Sequence, residues 1–557
     1  MSRSPIFLFM CAAAALHCGG TPASDDATAP LASTTQRDML VWGAGSDIDS
    51  LLTPVSQSAS DSMVQTNIFM PLMDAEFDCS LKKTKDGLVQ SWEWNEEGTK
   101  LTFKMRDDIK WEDGTPVTTA DVKFAYDMIG NSKVASPRLS FLDKMTTDGR
   151  PKVIDDYTLE WHFTAAYDRD TQASHASLGY VPAHILKSVD MATVRGSKEN
   201  KAPLASGPFK LIDHKPGQSF ALVPNENFTG KPEEAARLKR IQVNIVPEYQ
   251  TRLLKLKKGE IDLAEGIQVK DADELIKSNP NIKLMRRGYR FNDYIGWNLQ
   301  NDLFKDKRVR QALAHSVDIE WMIGRILTSE SGEKFGRPSV GTITPELCNV
   351  HNDDIKPFPF DEAIAKSKFA EAGWTDTNGD GILDKDGQKF QFTLMTNREN
   401  ERRMEAAILI QNALKKVGVE MTIDTKEFNT MSDLMRKKKF EAVLGGWSAG
   451  LFVDPSSMWH SSTEEKNYPF NYTSYSNPEV DALIAQGMTT PDPLVAAPIW
   501  KDMQAKIYDD QPYLFLWWRE EIVGIDSRFE NVQMNVLNLL FDLHEWEVPP
   551  EKVKYKL

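Results

Sequence analysis

Cysteine is scarce in this chain. Only four occur among 557 residues, Cys11, Cys18, Cys79 and Cys348, with no C-x-x-C pair and no His-x-x-x-His spacing. A structural zinc site therefore has no support. Excess positive charge is also missing: 66 Lys+Arg against 81 Asp+Glu leave a formal charge of −15. Binding a nucleic-acid backbone needs a positive field, so nucleic acid is excluded as the main partner. Beyond the first residues, no run approaches the roughly 18 apolar residues that a membrane-spanning helix requires. What is present is ordinary soluble-protein composition, 41% hydrophobic and 26% charged, with 14 Trp and 26 Phe. Most of these rings belong in cores, and a few can wall a cleft. At about 150 residues per domain, the length predicts three or four domain-sized units.

The N-terminus reads as an export signal. In residues 1–17, Arg3 supplies a positive start and Ile6 to Met10 with Ala12 to Ala15 supply a short apolar stretch. Residues 18–38 form a small, polar, Pro-containing tether that opens Cys18-Gly19-Gly20. The layout resembles a bacterial lipoprotein leader, with Cys18 as the lipidated first residue. Two slots depart from it: Ala15 stands where Leu is usual, and His17 where a small residue is usual. Cleavage near Ala23 and release as a soluble protein is the alternative. Once Cys11 leaves with the signal, Cys79 and Cys348 remain as a pair in an oxidising compartment.

Period-two patterns predict strands at Leu101, Phe103 and Met105, at Leu159, Trp161 and Phe163, and at Ile241, Val243 and Ile245. Thr118 and Asp121 fit a capping box that opens a helix with Val122, Ala125 and Met128 on one face. A second helix follows Asp306. A third carries Ala407, Ile410, Leu414 and Val417 and stops at Gly418. Strands at Val419, Met421 and Ile423 and at Ala442-Val443-Leu444 follow it. The class is α/β.

Five ordered blocks then carry a resemblance. The longest runs from Leu88-Val89-Gln90-Ser91-Trp92-Glu93-Trp94 through Leu101-Thr102-Phe103 to Trp111-Glu112-Asp113-Gly114-Thr115-Pro116-Val117. The others are Ser206-Gly207-Pro208-Phe209 with Asn225 to Gly230, Val309-Arg310-Gln311-Ala312-Leu313, Tyr475-Ser476-Asn477-Pro478, and Gln511-Pro512-Tyr513-Leu514. Over residues 39–540 the chain resembles the family 5 extracellular solute-binding proteins of ABC importers, the oligopeptide, dipeptide and nickel group. The resemblance implies a two-lobed clamshell of the type II periplasmic-binding-protein kind, with an extra subdomain in lobe one. Lobe one would comprise 39–75, 203–295 and 520–557, its accessory subdomain 76–202, and lobe two 296–519. Crossings near 290–300 and 515–525 would form the hinge. It also implies a monomer, periplasmic or tethered at the cell surface, that captures a peptide or another small organic solute and delivers it to a membrane permease. Neither catalytic residues nor a cofactor is implied.

The departures bear on the ligand. In peptide-binding relatives a Trp-x-Ala-Asp run supplies the aspartate that pairs with the peptide's α-ammonium. Here the run is Trp447-Ser448-Ala449-Gly450, so Gly450 stands in the aspartate slot and Asp454 follows at a shifted position. Capture of a free N-terminus loses its usual counter-charge. Trp447, Ser448, Gly450 and Asp454 are the predicted cleft wall. Tyr294 and Asn298 are predicted at the lobe crossover, Phe69 at the cleft floor where Tyr is usual, and Ser206 and Gly207 as donors of backbone amides.

Rival readings exist. Gly446-Trp447-Ser448-Ala449-Gly450 fits the G-x-S-x-G elbow of serine hydrolases, with His544 further on, but Leu451 to Pro455 does not continue as an amphipathic helix. Asp376 to Asp384 matches nine positions of an EF-hand-like calcium loop, yet its twelfth position is Gly387 instead of Glu. A metal-chelate receptor of the same family is the other binding reading, although the nine histidines form no cluster in the sequence.

Overall fold

The computed structural model describes residues 38–555 except 57, 74–86, 143, 147–148, 399, 451–452 and 462–469. The signal, Cys18, Cys79 and all but the last residue of the tether therefore lie outside the described residues.

Two sheets organise the chain. A seven-stranded sheet runs in the order Ile282–Arg286, Ile522–Asp526, Leu263–Glu265, Met39–Ala44, Arg240–Ile245, Ser219–Pro224, Phe209–Lys215. A six-stranded sheet runs Gly336–Pro338, Tyr513–Arg519, Phe291–Trp297, Ala442–Ser448, Gln391–Asn397, Glu420–Lys426. A smaller four-stranded sheet, Val89–Trp94, Lys100–Met105, Thr158–His162 and Lys152–Asp155, buries Leu101, Phe103, Leu159 and Trp161 against the first half's core. Local signals hold where hydrogen bonds are local. The Asp121 carboxylate accepts the Thr118 backbone N–H at 3.0 Å and so opens the helix Thr119–Ile129. The helix Glu401–Lys416 buries Ala407, Ile410 and Leu414, and Gly418 just beyond it takes φ +84°, a left-handed turn that favours glycine. No helix of the described residues is long and apolar enough to cross a membrane.

The chain passes between the two sheets twice. Ile282–Arg286 leads through residues 287–290 into Phe291–Trp297, and Tyr513–Arg519 leads through 520–521 into Ile522–Asp526. The crossings are laced together: the Arg287 N–H donates to the Glu521 carbonyl at 3.0 Å, Arg286 pairs with Glu520, and Arg287 pairs with Glu521. After the second crossing the chain is bound back to the first sheet by Arg528. Its guanidinium reaches both oxygens of Asp262 at 2.8 Å and the Asp38 carboxylate at 3.0 Å, all buried. Phe335, from the loop before Gly336–Pro338, is buried in a cluster with Val41, Leu253 and Ile522 of the first half, under the Arg286 guanidinium at 4.7 Å. Cys348 is disulfide-bonded, and its partner lies outside the described residues.

Candidate functional site

A cavity of about 640 Å³ opens between the two halves and is lined at the second crossing by Arg519 to Ile522. Tyr249 and Gly266 to Lys270 line it from the first half; Arg325, Asn397 and Arg402 line it from the second. The Lys270 ammonium spans it to Glu401 at 3.0 Å.

Behind two of its lining residues, Arg402 and Arg519, lies the buried Asp293. This residue interrupts the apolar strand Phe291–Trp297, and the pairing with Tyr513–Arg519 slips by one residue between Asp293 and Tyr294. The extra residue at this bulge, Leu516, lies on the partner strand, and the Asp293 carboxylate is buried beside it. Asp293 accepts from the Arg402 Nε at 2.9 Å, the Arg403 Nε at 3.0 Å and the Trp517 indole N–H at 2.8 Å. Arg402 and Arg403 stand in the first turn of the helix Glu401–Lys416, where the helix dipole already concentrates positive charge. Two cations there need a counter-charge, and Asp293 supplies it. Burial opposes ionisation of Asp293, and Arg402 and Arg403 overcome it, holding the carboxyl well below the usual carboxylate range.

Arg519 is the third guanidinium facing Asp293. It lies over the Phe291 ring at 4.6 Å, and its Nε is buried with no hydrogen-bond partner. Burial, with Arg402 behind it, pulls the guanidinium down to about 9.

The predicted residues fall into separate places. Trp447 and Tyr294 meet in a column of near-parallel rings: Tyr513 on Tyr294 at 3.9 Å, Tyr294 on Trp447 at 6.0 Å, Trp447 on Tyr472 at 5.7 Å. Burial raises Tyr294 well above the ordinary phenol range. Ser448 and Gly450 are exposed at the end of that strand. Asp454 pairs at 3.4 Å with Lys144 of the first half. Asn298 is buried and donates to the carbonyls of Lys438 and Phe440, tying backbone to backbone. Phe69, Ser206 and Gly207 form a buried knot elsewhere: Phe69 packs edge-on to Trp111, Ser206 Oγ bonds the Tyr180 hydroxyl at 2.8 Å, and the Gly207 N–H donates to the Ile68 carbonyl at 2.9 Å. A Cβ on Gly207 would stand 2.8 Å from the Asn67 carbonyl oxygen, so that close approach needs glycine. None of these nine residues lines the cavity at the crossing. Sequence reasoning did not single out Asp293, Arg402, Arg403, Arg519 or Lys144. A carboxylate inside an apolar strand and an arginine pair in a helix's first turn were the available signals.

The two rival motifs are built into a strand end and a turn. Ser448 ends its strand and the next helix begins only at Ser456, while His544 sits in a short turn of the first half. In the calcium-like loop, Asp376 accepts the Gly379 and Gly381 N–H groups, Asp380 pairs with Lys389, and Asp384 holds Thr377. No group of three or more metal-ligating side chains occurs among the described residues.

The sequence profile described as "Bacterial extracellular solute-binding proteins, family 5 Middle" matches residues 83–469. The chain belongs to this family. A family 5 relative, the "Oligopeptide-binding protein AppA" of Bacillus subtilis, is 30% identical over 539 residues, 95% of each chain. The "Probable D,D-dipeptide-binding periplasmic protein DdpA" of Escherichia coli is 26% identical, covering 91% of this chain and 94% of its own. A solved structure of the Bacillus subtilis AppA in complex with a nonapeptide superposes with a TM-score of 0.74 at 28% identity, covering 92% of this chain and all of the other. This family 5 chain accordingly has the two-lobed, type II solute-binding fold.

Proposed function

We propose that the chain is the capturing component of an ABC importer, closing its halves on a peptide or another small organic solute and presenting the closed form to a membrane permease. The observation that carries this reading is the cavity lined from both halves and at the second crossing segment. Its volume lies in the range of sites for small organic ligands, roughly 300–1,000 Å³. A ligand touching both halves gains its full contacts only when they are closed, so its differential affinity drives closure. The relatives described as oligopeptide- and dipeptide-binding support a peptide. The reading extends to an exported monomer tethered through lipidated Cys18, with no catalytic step of its own.

The test is a melting-temperature screen of the mature protein against peptides of graded length and a set of small metabolites. A ligand at a hundred times its Kd adds about 2.7 kcal/mol of stability. Saturable stabilisation by at least one peptide is expected; none from any peptide, with stabilisation by a non-peptide metabolite, would replace the peptide reading.

A further inference from the structure

The hinge cavity contains a cation with no counter-ion of its own, and that imbalance points to a feature of the solute. We propose that Arg519, flanked by Arg402, is the seat for an anionic oxygen group of the captured solute, a carboxylate or a phosphate. The inference rests on the proposed solute-capturing function and narrows its chemistry.

Three observations carry it. The first is the unmet hydrogen-bonding capacity of Arg519. A guanidinium has five N–H donors in a fixed fork, and a buried donor left unpaired is costly. The described residues supply Arg519 with no hydrogen-bond acceptor, only the face of Phe291 at 4.6 Å. Stacking holds the guanidinium plane in place while leaving its edge for a bidentate acceptor.

The second is that the acidic residues of the cavity are already engaged. Glu401 pairs with Lys270, Glu405 with Arg325, Glu520 with Arg286 and Glu521 with Arg287. Glu248 accepts the backbone N–H groups of Gln250 and Thr251 at the start of its helix. Asp293, which faces Arg519 from inside, is taken up by Arg402, Arg403 and Trp517. Three guanidinia thus share one carboxylate, and Arg519 donates no hydrogen bond to it.

The third is placement. Arg519 and Arg402 line the same cavity, at the segment where the chain crosses between halves. An anion there would contact the part of the molecule that bends on closure. The lining carries five carboxylates, Glu248, Glu401, Glu405, Glu520 and Glu521, against four cations, so the seat for an anion is the Arg519 guanidinium itself and not a general positive field.

The test is calorimetric titration of the mature wild-type protein and Arg519→Met with sodium acetate and with inorganic phosphate at constant ionic strength. In parallel, one set of peptides is titrated with free C-terminal carboxylates and again with C-terminal amides. Saturable binding of at least one simple anion is expected in the wild type, weakened about tenfold to a hundredfold in R519M, the worth of one or two charge-assisted hydrogen bonds. Preference for acetate and for carboxylate peptides assigns a carboxylate; preference for phosphate alone assigns a phosphorylated solute. Should R519M fail to fold, arginine-selective modification of the wild type followed by peptide mapping gives the second readout, with the anion expected to protect Arg519. Absence of saturable anion binding, anion binding unchanged in R519M, or modification of Arg519 unaffected by anion would overturn the inference. Peptides that bind equally as acids and amides, with no anion effect, would sink the inference and keep the peptide reading. Arg519-dependent anion binding without any peptide binding would do the reverse.

Discussion

The Lys144 ammonium stands 3.4 Å from the Asp454 carboxylate, joining residues 310 positions apart in the sequence and on opposite halves of the molecule. A second contact of this kind is the Arg169 N–H, which donates to the Pro491 carbonyl at 3.1 Å. Both contacts join residues of the first half to residues of the second.

Asp454→Asn and Lys144→Met are therefore expected to weaken solute affinity while leaving the melting temperature of the ligand-free protein nearly unchanged. Both side chains are partly exposed, so the pair is worth at most about 1 kcal/mol, roughly fivefold in Kd. A double-mutant cycle read by calorimetry should show the two losses to be non-additive; full additivity would mean the pair does not act in closure. Burial opposes ionisation of Asp454 and Lys144 outweighs it, so its carboxyl lies below the ordinary range. The sign follows: the attraction is fully present above about pH 4, the ordinary aspartate value, and fades only as pH falls further. Affinity measured from pH 7 down to pH 5 should show no loss from this pair.

Asp293→Asn should destabilise the protein by about 3 kcal/mol, because it leaves two partly buried guanidinia without their counter-charge. Since the folded carboxyl lies well below its unfolded value, the stabilisation is complete above about pH 4 and is lost as pH falls through the folded range. Urea unfolding at pH 7 and at pH 3 measures both. The wild-type midpoint should drop between them more than that of D293N; equal drops would show that Asp293 is not the group responsible. D293N should also bind acetate or phosphate more tightly than the wild type, since an internal competitor for the arginines is gone.

Arg528→Met removes the buried bridge from the last segment to Asp262 and Asp38. Two carboxylates are then left buried without their arginine, at a cost of about 3–5 kcal/mol. The midpoint of chemical unfolding should fall accordingly. A loss under about 1 kcal/mol would show that the return of the chain to the first sheet is held mainly by the apolar core around Val523 and Ile525.

The family resemblance implies that Gly450 takes the slot where peptide-binding relatives carry an aspartate for the peptide's ammonium, and Asp454 is already paired with Lys144. Peptides with acetylated N-termini are thus expected to bind within roughly threefold of the same peptides with free amines. Competition titrations decide it; a loss of more than about tenfold on acetylation would show that the protein does capture a free N-terminus.

Elements with local causes were legible in the residues. The helix Thr119–Ile129 follows from Thr118 and Asp121, three positions apart, and the end of Glu401–Lys416 from a glycine beyond Val417. Strand periodicity at Leu101 and Phe103 and at Ile241 and Val243 gave the buried faces. The ordered blocks from Leu88 to Leu514 were enough to recognise the family. The candidate site was legible only in part. The sequence points to Trp447 and Tyr294 separately, and nothing in it says that Tyr513 and Tyr472 stack with them. Phe69, Ser206 and Gly207, which the resemblance implies for the cleft, lie in a buried knot around Tyr180.

By itself, the sequence determined the α/β class, the acidic charge balance and the solute-binding family, because each rests on composition, short spacing or blocks read in order. Only the tertiary structure decided which charges are spent and which are free. Asp293 meets Arg402 and Arg403 across 109 and 110 residues, through a slipped register between neighbouring strands and a helix packed against them. Arg519 looks like any other arginine until burial, the Phe291 ring and the prior claims on every nearby carboxylate are seen together. Charges act through space with a strength set by distance and solvent, and neither quantity is written in the order of the residues.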